Sequence, residues 1–303
     1  MSTLYIIGNG FDLHHSLKTN YSDFHKFVAE NYNDLEWAFE EFFRLRYGSE
    51  FLWNHFEHDL STFDWKSFFE HHNNIDVMSD SFKPSERFGL EDEISEAGEV
   101  LIESIRNAFY EWIDELEYPD MKNENISLLK LEAQSRFLNF NYTSSLELYY
   151  RILPGDILYI HNKADNLGDQ LIFGHRTRAE SDPKISEQDE NGDSNRTLFT
   201  DAEDAARTIF YEFQKDTKNI MRKHREFFGG LSDVNRIIVL GHSMGEVDWL
   251  YFRYIRKRLP SAQWQISYYG DSEIDTKKEL AMKVLKLDNE KIVMVRLKDL
   301  QLI

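Results

Sequence analysis

Apolar residues gather along this chain in short runs set far apart. The runs are Leu4–Gly8, Arg136–Asn141, Ile157–His161, Leu171–Gly174, Arg236–Gly241, Gln263–Tyr269 and Lys291–Leu297. A short apolar run bounded by turn residues reads as a buried strand. The spaces between them carry a different period. From about Ser22 to Leu131 apolar residues recur at helical spacing, as in Phe39, Phe42 and Phe43, or Leu101, Ile105, Ala108 and Trp112. Further helices are predicted from about Leu13 to Glu30, from Asp201 to Phe228 and from Asp248 to Leu259. The expected architecture is a single α/β domain over 1–303, a mostly parallel sheet flanked by helices, with a helical insertion over 22–131. The acidic stretch Ser181–Asn195, nearly free of large apolar residues, predicts a solvated loop.

Composition narrows the function classes. With 303 residues the chain can bury a large core. A formal charge of −19 opposes non-specific binding to nucleic acid or anionic lipid, which needs a basic face. The absence of cysteine removes disulfides, thiol nucleophiles and cysteine zinc sites. No run reaches the roughly 18 apolar residues of a membrane helix, and the N-terminus lacks the pattern of a signal peptide. A cytoplasmic protein is expected.

The chemistry-bearing residues sit where apolar runs end. In "LYIIGNGFDLHH" a strand runs into Gly8-Asn9-Gly10-Phe11, and Asp12 follows. A glycine turn between strand and helix can present unpaired N–H groups to an anion. The dinucleotide fingerprint is incomplete, since Leu13 occupies its third glycine position. In "VLGHSMGEVDW", Gly241-His242-Ser243-Met244-Gly245 matches the G-x-S-x-G nucleophile elbow. No histidine follows His242, which opposes a serine hydrolase; a ligand-binding turn is the better reading. His55 and His58 in "WNHFEHDL" stand at i,i+3 but lack a third metal ligand at helical spacing. Asn141, His161 and His175 each close an apolar run. In a parallel sheet such ends share one edge, so convergence argues for a site more strongly than any single motif.

The segments "IIGNGFDLHHSLKTNYSDF", "FNYTSSLE", "LIFGH", "FQKDT" and "GHSMGEVD" resemble the bacterial abortive-infection AbiH family of phage-defence proteins. Their order is also similar, remotely, to the sirtuin-type, Rossmann-like nucleotide-binding fold. In that likeness Gly8–Phe11 matches a glycine-rich turn, Asn141 a strand-ending asparagine, His161 the catalytic histidine, and Gly241-His242-Ser243 a later turn. Asn162 stands where sirtuins have glycine, and Thr143 where sirtuin-like NAD hydrolases tend to have aspartate. The missing zinc ribbon argues against protein deacylation.

The resemblance implies an antiviral effector, and the expected chemistry is cleavage of the N-glycosidic bond of NAD or a related nucleotide. His161 is the expected base, Asn141 orients water or ribose, and Asp12 stabilises positive charge or binds ribose. Gly8, Asn9, Gly10, Phe11, His175, Gly241, His242, Ser243 and Asp248 are expected around the nucleotide. NAD or its relative is substrate, with no cofactor required and no metal. A phage-derived trigger or partner protein, and a second copy of the chain, complete the expected partners. Two rivals are a metal-dependent nuclease or phosphoesterase using Asp12, Glu57, Asp248 and histidines, and a non-catalytic nucleotide or phage sensor acting through a partner.

Overall fold

The computed structural model describes residues 2–43, 56–83, 85, 88–120, 127–132, 135–164, 171–177, 191, 194 and 196–300. The chain divides into two compact units. One contains Met1–Asp23, Tyr110–Ile172 and Asp216–Ile303; the other contains Phe24–Phe109 and Phe173–Lys215. Most of the stretch read as a helical insertion thus falls in the second unit, joined there by 173–215.

The first unit is built on six strands: β1 (Ser2–Ile7), β2 (Arg136–Asn139), β3 (Ile157–Tyr159), β4 (Val234–Leu240), β5 (Gln263–Tyr268) and β6 (Ile292–Arg296). Every pairing is parallel, in the order β3-β2-β1-β4-β5-β6. That is the doubly wound Rossmann order, with its reversal between β1 and β4. Both faces of the sheet are buried, which is why the strands read as continuous apolar runs. Leu4 and Ile6 join Leu138, Ile237, Val239, Trp264 and Ile266 in one core. Tyr5 and Ile7, one residue out of phase, join Phe137, Ile238 and Leu240 in the other.

Helices α1 (Asn9–His14), α7 (Ser145–Tyr150), α9 (Thr217–Lys223), α10 (Arg225–Gly229), α11 (Trp249–Arg258) and α12 (Ile274–Leu285) belong to this unit, numbered in chain order over the whole chain. The second unit holds α3 (Asn33–Phe42), α4 (Phe56–Asp59), α5 (Trp65–His72) and α8 (Thr200–Glu212), while α2 (Tyr21–Asn31) and α6 (Leu90–Asp114) run from one unit into the other. Its core is aromatic. Phe24 meets Phe56 at 5.0 Å between ring centres, and Phe109 stacks on Phe173 at 4.4 Å. Lys215, its side chain 1% exposed, is paired with Glu57 at 2.7 Å. Among the described residues, no helix is long and apolar enough to cross a membrane.

Three expected elements differ. Leu171–Gly174 forms no strand. Ile172 donates its N–H to the carbonyl of His161, and Gly174, at φ +132°, lies against the backbone of Phe213. The run is apolar because Leu171 and Phe173 are buried, not because they pair in a sheet. The helix expected from Leu13 begins earlier, at Asn9, and stops at His14; Ser16 at φ +61° breaks the path before α2. The expected helix Asp201–Phe228 is three helices, α8, α9 and α10, separated by "FQKD" and by His224. The Ser181–Asn195 loop lies outside the described residues, apart from Asn191 and Ser194.

The point on which the β1 and β4 loops meet generates a prediction. Gly241 has φ +65°, and a methyl there would sit 2.1 Å from the backbone nitrogen of Phe11. Gly155, by contrast, has open space around its missing Cβ. Gly241→Ala is expected to lower unfolding free energy by at least ~2 kcal/mol, from the left-handed backbone and the clash together. Gly155→Ala should change it by less than about 0.5 kcal/mol. Urea denaturation of both variants checks this.

Candidate functional site

Strand register places the candidates in one line. Ile7 lies opposite Asn139 and Leu240, and Asn139 lies opposite Tyr159. One step further along each strand stand Gly8, Phe140, Ile160 and Gly241. Beyond them come Asp12, Asn141, His161 and His242, all on the C-terminal edge of the sheet, where ligands of such folds bind.

The glycines are dictated by the contact between two loops. Gly8 N–H donates to Leu240 O at 3.0 Å, and Gly10 N–H donates to Gly241 O at 2.7 Å. A methyl on Gly8 would stand 2.6 Å from the Cα of His242, and one on Gly10 2.9 Å from that of Gly241. The close approach of these loops accounts for glycine at all three positions without a phosphate. Asn9 Nδ2 donates to the carbonyl of Thr19 at 2.7 Å, and Phe11 is fully buried beside His15 and Tyr150.

Asp12, 1% exposed, anchors the first cluster. Thr143 Oγ1 donates to its Oδ2 at 2.6 Å, Ser145 Oγ donates to its Oδ1, and Asn141 also bonds its side chain. The two hydroxyl oxygens lie 2.8 Å apart. Three short contacts join the carboxyl and the two hydroxyls, but the hydroxyls own only two protons between them. A proton on Asp12 supplies the third, so the arrangement suits a carboxyl that takes up a proton readily. Burial raises the Asp12 pKa to about 6, against the opposing pull of the bonds from Ser145, Thr143 and Asn141. Asn141 Nδ2 further donates to Gly8 O at 3.1 Å, and its backbone N–H donates to Asn139 Oδ1 at 3.0 Å. Asn141 is thereby fixed against the β1 turn.

The second cluster is centred on Asp248. His161 Nε2 lies 3.9 Å from its Oδ1, and His242 Nε2 lies 3.5 Å from its Oδ2. All three residues are buried. The His161 ring is packed by Phe140, Tyr142 and Tyr251. His242 Nδ1 accepts the N–H of Met244 at 2.8 Å, and Met244 O accepts the indole N–H of Trp249 at 2.8 Å. These two bonds hold Met244, fully buried, at φ +57°.

No nucleophile elbow forms at "GHSMG". There the strained residue is the nucleophile itself, with a helix directly behind it. Here the positive φ angles belong to Gly241 and Met244, and a 3-10 turn, Glu246–Asp248, precedes α11. Ser243 is exposed, and among the described residues its hydroxyl makes no hydrogen bond to a histidine. His175 lies in the second unit, where Nδ1 accepts from Thr177 N–H and Nε2 faces Phe210 O. With both nitrogens engaged and burial holding its pKa down to about 4, it is a structural histidine. His55 lies outside the described residues, and the half-exposed His58 faces Asp59 at 3.8 Å.

Residues 4–268 match the family model described as bacteriophage abortive infection AbiH. The chain belongs to the AbiH family. Membership places it in phage abortive-infection defence. Comparison with curated proteins and with solved structures returned no match. The stretches by which the chain resembles AbiH proteins coincide with the clusters. The opening motif carries Asp12, "FNYTSSLE" carries Asn141, Thr143 and Ser145, and "GHSMGEVD" carries His242 and Asp248. "LIFGH" and "FQKDT" run into the second unit and hold His175 and Lys215. The contacts of Thr143 and Ser145 with Asp12 span 131 and 133 residues of chain, so local sequence does not reveal them.

The raised Asp12 pKa has a stability signature. The folded state holds this proton more tightly than the unfolded chain. The resulting stabilisation is complete below the unfolded value of 3.8 and is lost as pH rises through about 6. Asp12→Asn removes that dependence while keeping a polar group for the hydroxyls. Between pH 5 and pH 8 the stability difference should move in favour of the variant by about 1.4 kcal/mol, the worth of one pH unit of differential proton binding. Urea unfolding at the two pH values measures it, and a difference that moves the other way contradicts the assignment.

Proposed function

We propose that this AbiH protein acts in phage defence by cleaving the N-glycosidic bond of NAD or a related nucleotide. The observation that carries the reading is that Asn141 and His161 follow strand ends on the C-terminal edge of a doubly wound parallel sheet, each beside a buried Asp, Asp12 for the first and Asp248 for the second. Buried ionisable groups cost stability and collect at functional sites. The choice of bond draws on the likeness of Asn141 and His161 to the residue pair of sirtuins noted in the sequence.

In this reading a water attacks the anomeric carbon of the ribose. Its proton passes to His161 and a C–O bond forms. The C–N bond breaks with its electron pair going to the nicotinamide nitrogen, which leaves as a neutral base. Asn141 orients the water or the ribose. Asp12 acts through Thr143, Ser145 and Asn141, fixing the loop and adding negative charge near an oxocarbenium-like state. His161 and Asn141 are 2% and 6% exposed, so the nucleotide enters by displacing side chains that cover them. A covered base is a silent one, which suits an effector of abortive infection.

Less supports the metal-dependent rival. Among the described residues no group of three or more His, Asp or Glu side chains is arranged to hold a metal ion, and Glu57 is engaged by Lys215. The sensor reading uses the same residues and differs in lacking turnover.

Incubating pure protein with NAD, NADP, ATP and DNA, with and without magnesium, tests the proposal. Release of nicotinamide without a metal requirement is expected; nucleotide binding with no product points to the sensor. Asn141→Ala and His161→Ala should each lower turnover by about 10²–10⁴-fold, and the double variant should be little worse than either. Full turnover by a folded His161→Ala protein contradicts the assignment. Ser243→Ala is expected to keep at least half of the activity; its loss, with labelling of Ser243 by a fluorophosphonate, would establish a serine hydrolase instead.

A further inference from the structure

The charge of −19 is an average over an uneven distribution. Residues 216–303 carry 16 Lys and Arg against 12 Asp and Glu, whereas the whole chain carries 35 against 54. Within the first unit, cations gather where α10 and α11 end. Arg258 donates from Nη2 to the carbonyl of Gly229 at 3.3 Å. Arg136, at the start of β2, brings Nη1 to 3.7 Å from the position of a methyl on Gly230. Arg225 opens α10, and Lys257 precedes Arg258 on α11. Helix α9, which lies against α11, ends in Arg222 and Lys223. Tyr254, 36% exposed, meets Phe228 edge-on at 5.3 Å between ring centres and joins α11 to α10.

All six of these cations are exposed, and among the described residues none is in an ion pair. Arg236, by contrast, is bound to Glu132 and does not belong with them. Between α9 and β4 stand two exposed acids, Glu226 and Asp233. Burial and the charge of Lys223 hold the pKa of half-buried His224 below its ordinary value. Cations at helix C-termini have an ordinary use, since they meet unpaired carbonyls and the negative end of the dipole. That accounts for one N–H of Arg258, and for Arg256, whose Nη1 donates to Pro260 O at 3.2 Å. It does not account for Arg136, which is on a strand. Nor does it account for Arg225, at the end of its helix where the dipole disfavours a cation.

We propose that this face binds the phosphate backbone of a nucleic acid. It lies where β2, β4 and β5 begin, on the opposite edge of the sheet from Asn141 and His161. Four of the six cations are arginines, whose planar guanidinium meets a phosphate with two parallel hydrogen bonds. Tyr254 offers an exposed ring beside them on which a base can stack. The acidic remainder of the chain does not forbid this. At 0.1 M salt, exposed charges more than about 10 Å apart are largely screened, so the cations nearest the phosphates decide. The acidic remainder instead confines binding to this face, which overall charge could not reveal.

Fluorescence anisotropy with short labelled strands of DNA and RNA and a DNA duplex tests this on the whole protein. Raising salt from about 50 to about 200 mM should weaken binding roughly 50- to 150-fold, the dependence for about four neutralised phosphates. Lys257→Gln combined with Arg258→Gln should weaken binding at the lower salt by at least about tenfold. Lys18→Gln combined with Lys83→Gln removes as much charge from exposed lysines elsewhere and should leave affinity within about twofold. Arg222→Gln combined with Lys223→Gln should act as the first pair does, and replaces it should that pair fail to fold. Polyglutamate is added to the wild type as competitor and should displace the strands poorly. Displacement as effective as that by unlabelled nucleic acid marks a surface for acidic polypeptide and overturns the proposal. So does a lack of binding at the lower salt, or binding that the folded variants leave unchanged.

Discussion

The first unit is organised around the hydrogen bond from Gly10 N–H to Gly241 O and its neighbour from Gly8 N–H to Leu240 O. They tie the loop after β1 to the loop after β4, across the position where the strand order turns back. In most doubly wound sheets that position is a crevice, because successive crossovers depart to opposite faces. Here backbone meets backbone within 3 Å, and three glycines are the condition for it. Closing the loops together has a consequence for chemistry. Asp12, Asn141 and His242 are brought in from solvent, and every polar atom on this edge must then find its partner inside the protein.

The partners found are of two kinds. Asp12 is met by hydroxyls and an amide, none of which carries charge. Such donors soften the burial of a carboxylate without removing its cost, and burial wins, as the raised pKa shows. Asp248 faces two imidazoles, one of which accepts the backbone N–H of Met244 at Nδ1. The same edge thus holds one carboxyl, that of Asp12, that gains a proton easily, and a second, that of Asp248, that faces two imidazoles. A fold selected for stability alone would replace both with apolar residues.

How much of this was legible in the sequence depends on the distance over which each feature is determined. Six of the seven expected strands are present, because a strand buried on both faces needs an unbroken apolar run and little else. Leu171–Gly174 has the run but, among the described residues, no strand pairs with it, and nothing local to it records that lack. The placement of Asp12, Asn141 and His161 toward one edge followed from their position after such runs, since parallel strands end on the same side. The partners of these residues did not follow. Thr143 and Ser145 reach Asp12 across more than a hundred residues of chain, and Asp248 reaches His161 across a long interval as well. Sequence spacing says which side chains share an element; it says nothing of which elements are adjacent.

The glycine turn shows how one pattern admits two causes. Gly-x-Gly after a strand is permitted by phosphate binding, where backbone N–H groups must approach an anion, and equally by loop–loop contact, where they must approach a carbonyl. Both require the absence of a Cβ, and both leave the same two letters. What separates them is the occupant of the N–H groups. Here Gly8 and Gly10 already donate to Leu240 and Gly241, so an anion would have to displace two backbone hydrogen bonds to use them. In the proposed function, recognition on this edge accordingly falls to side chains, the amide of Asn141 and the ring of His161. On the proposed reading, a ligand there would be selected by its hydroxyls and its charge more than by its phosphates.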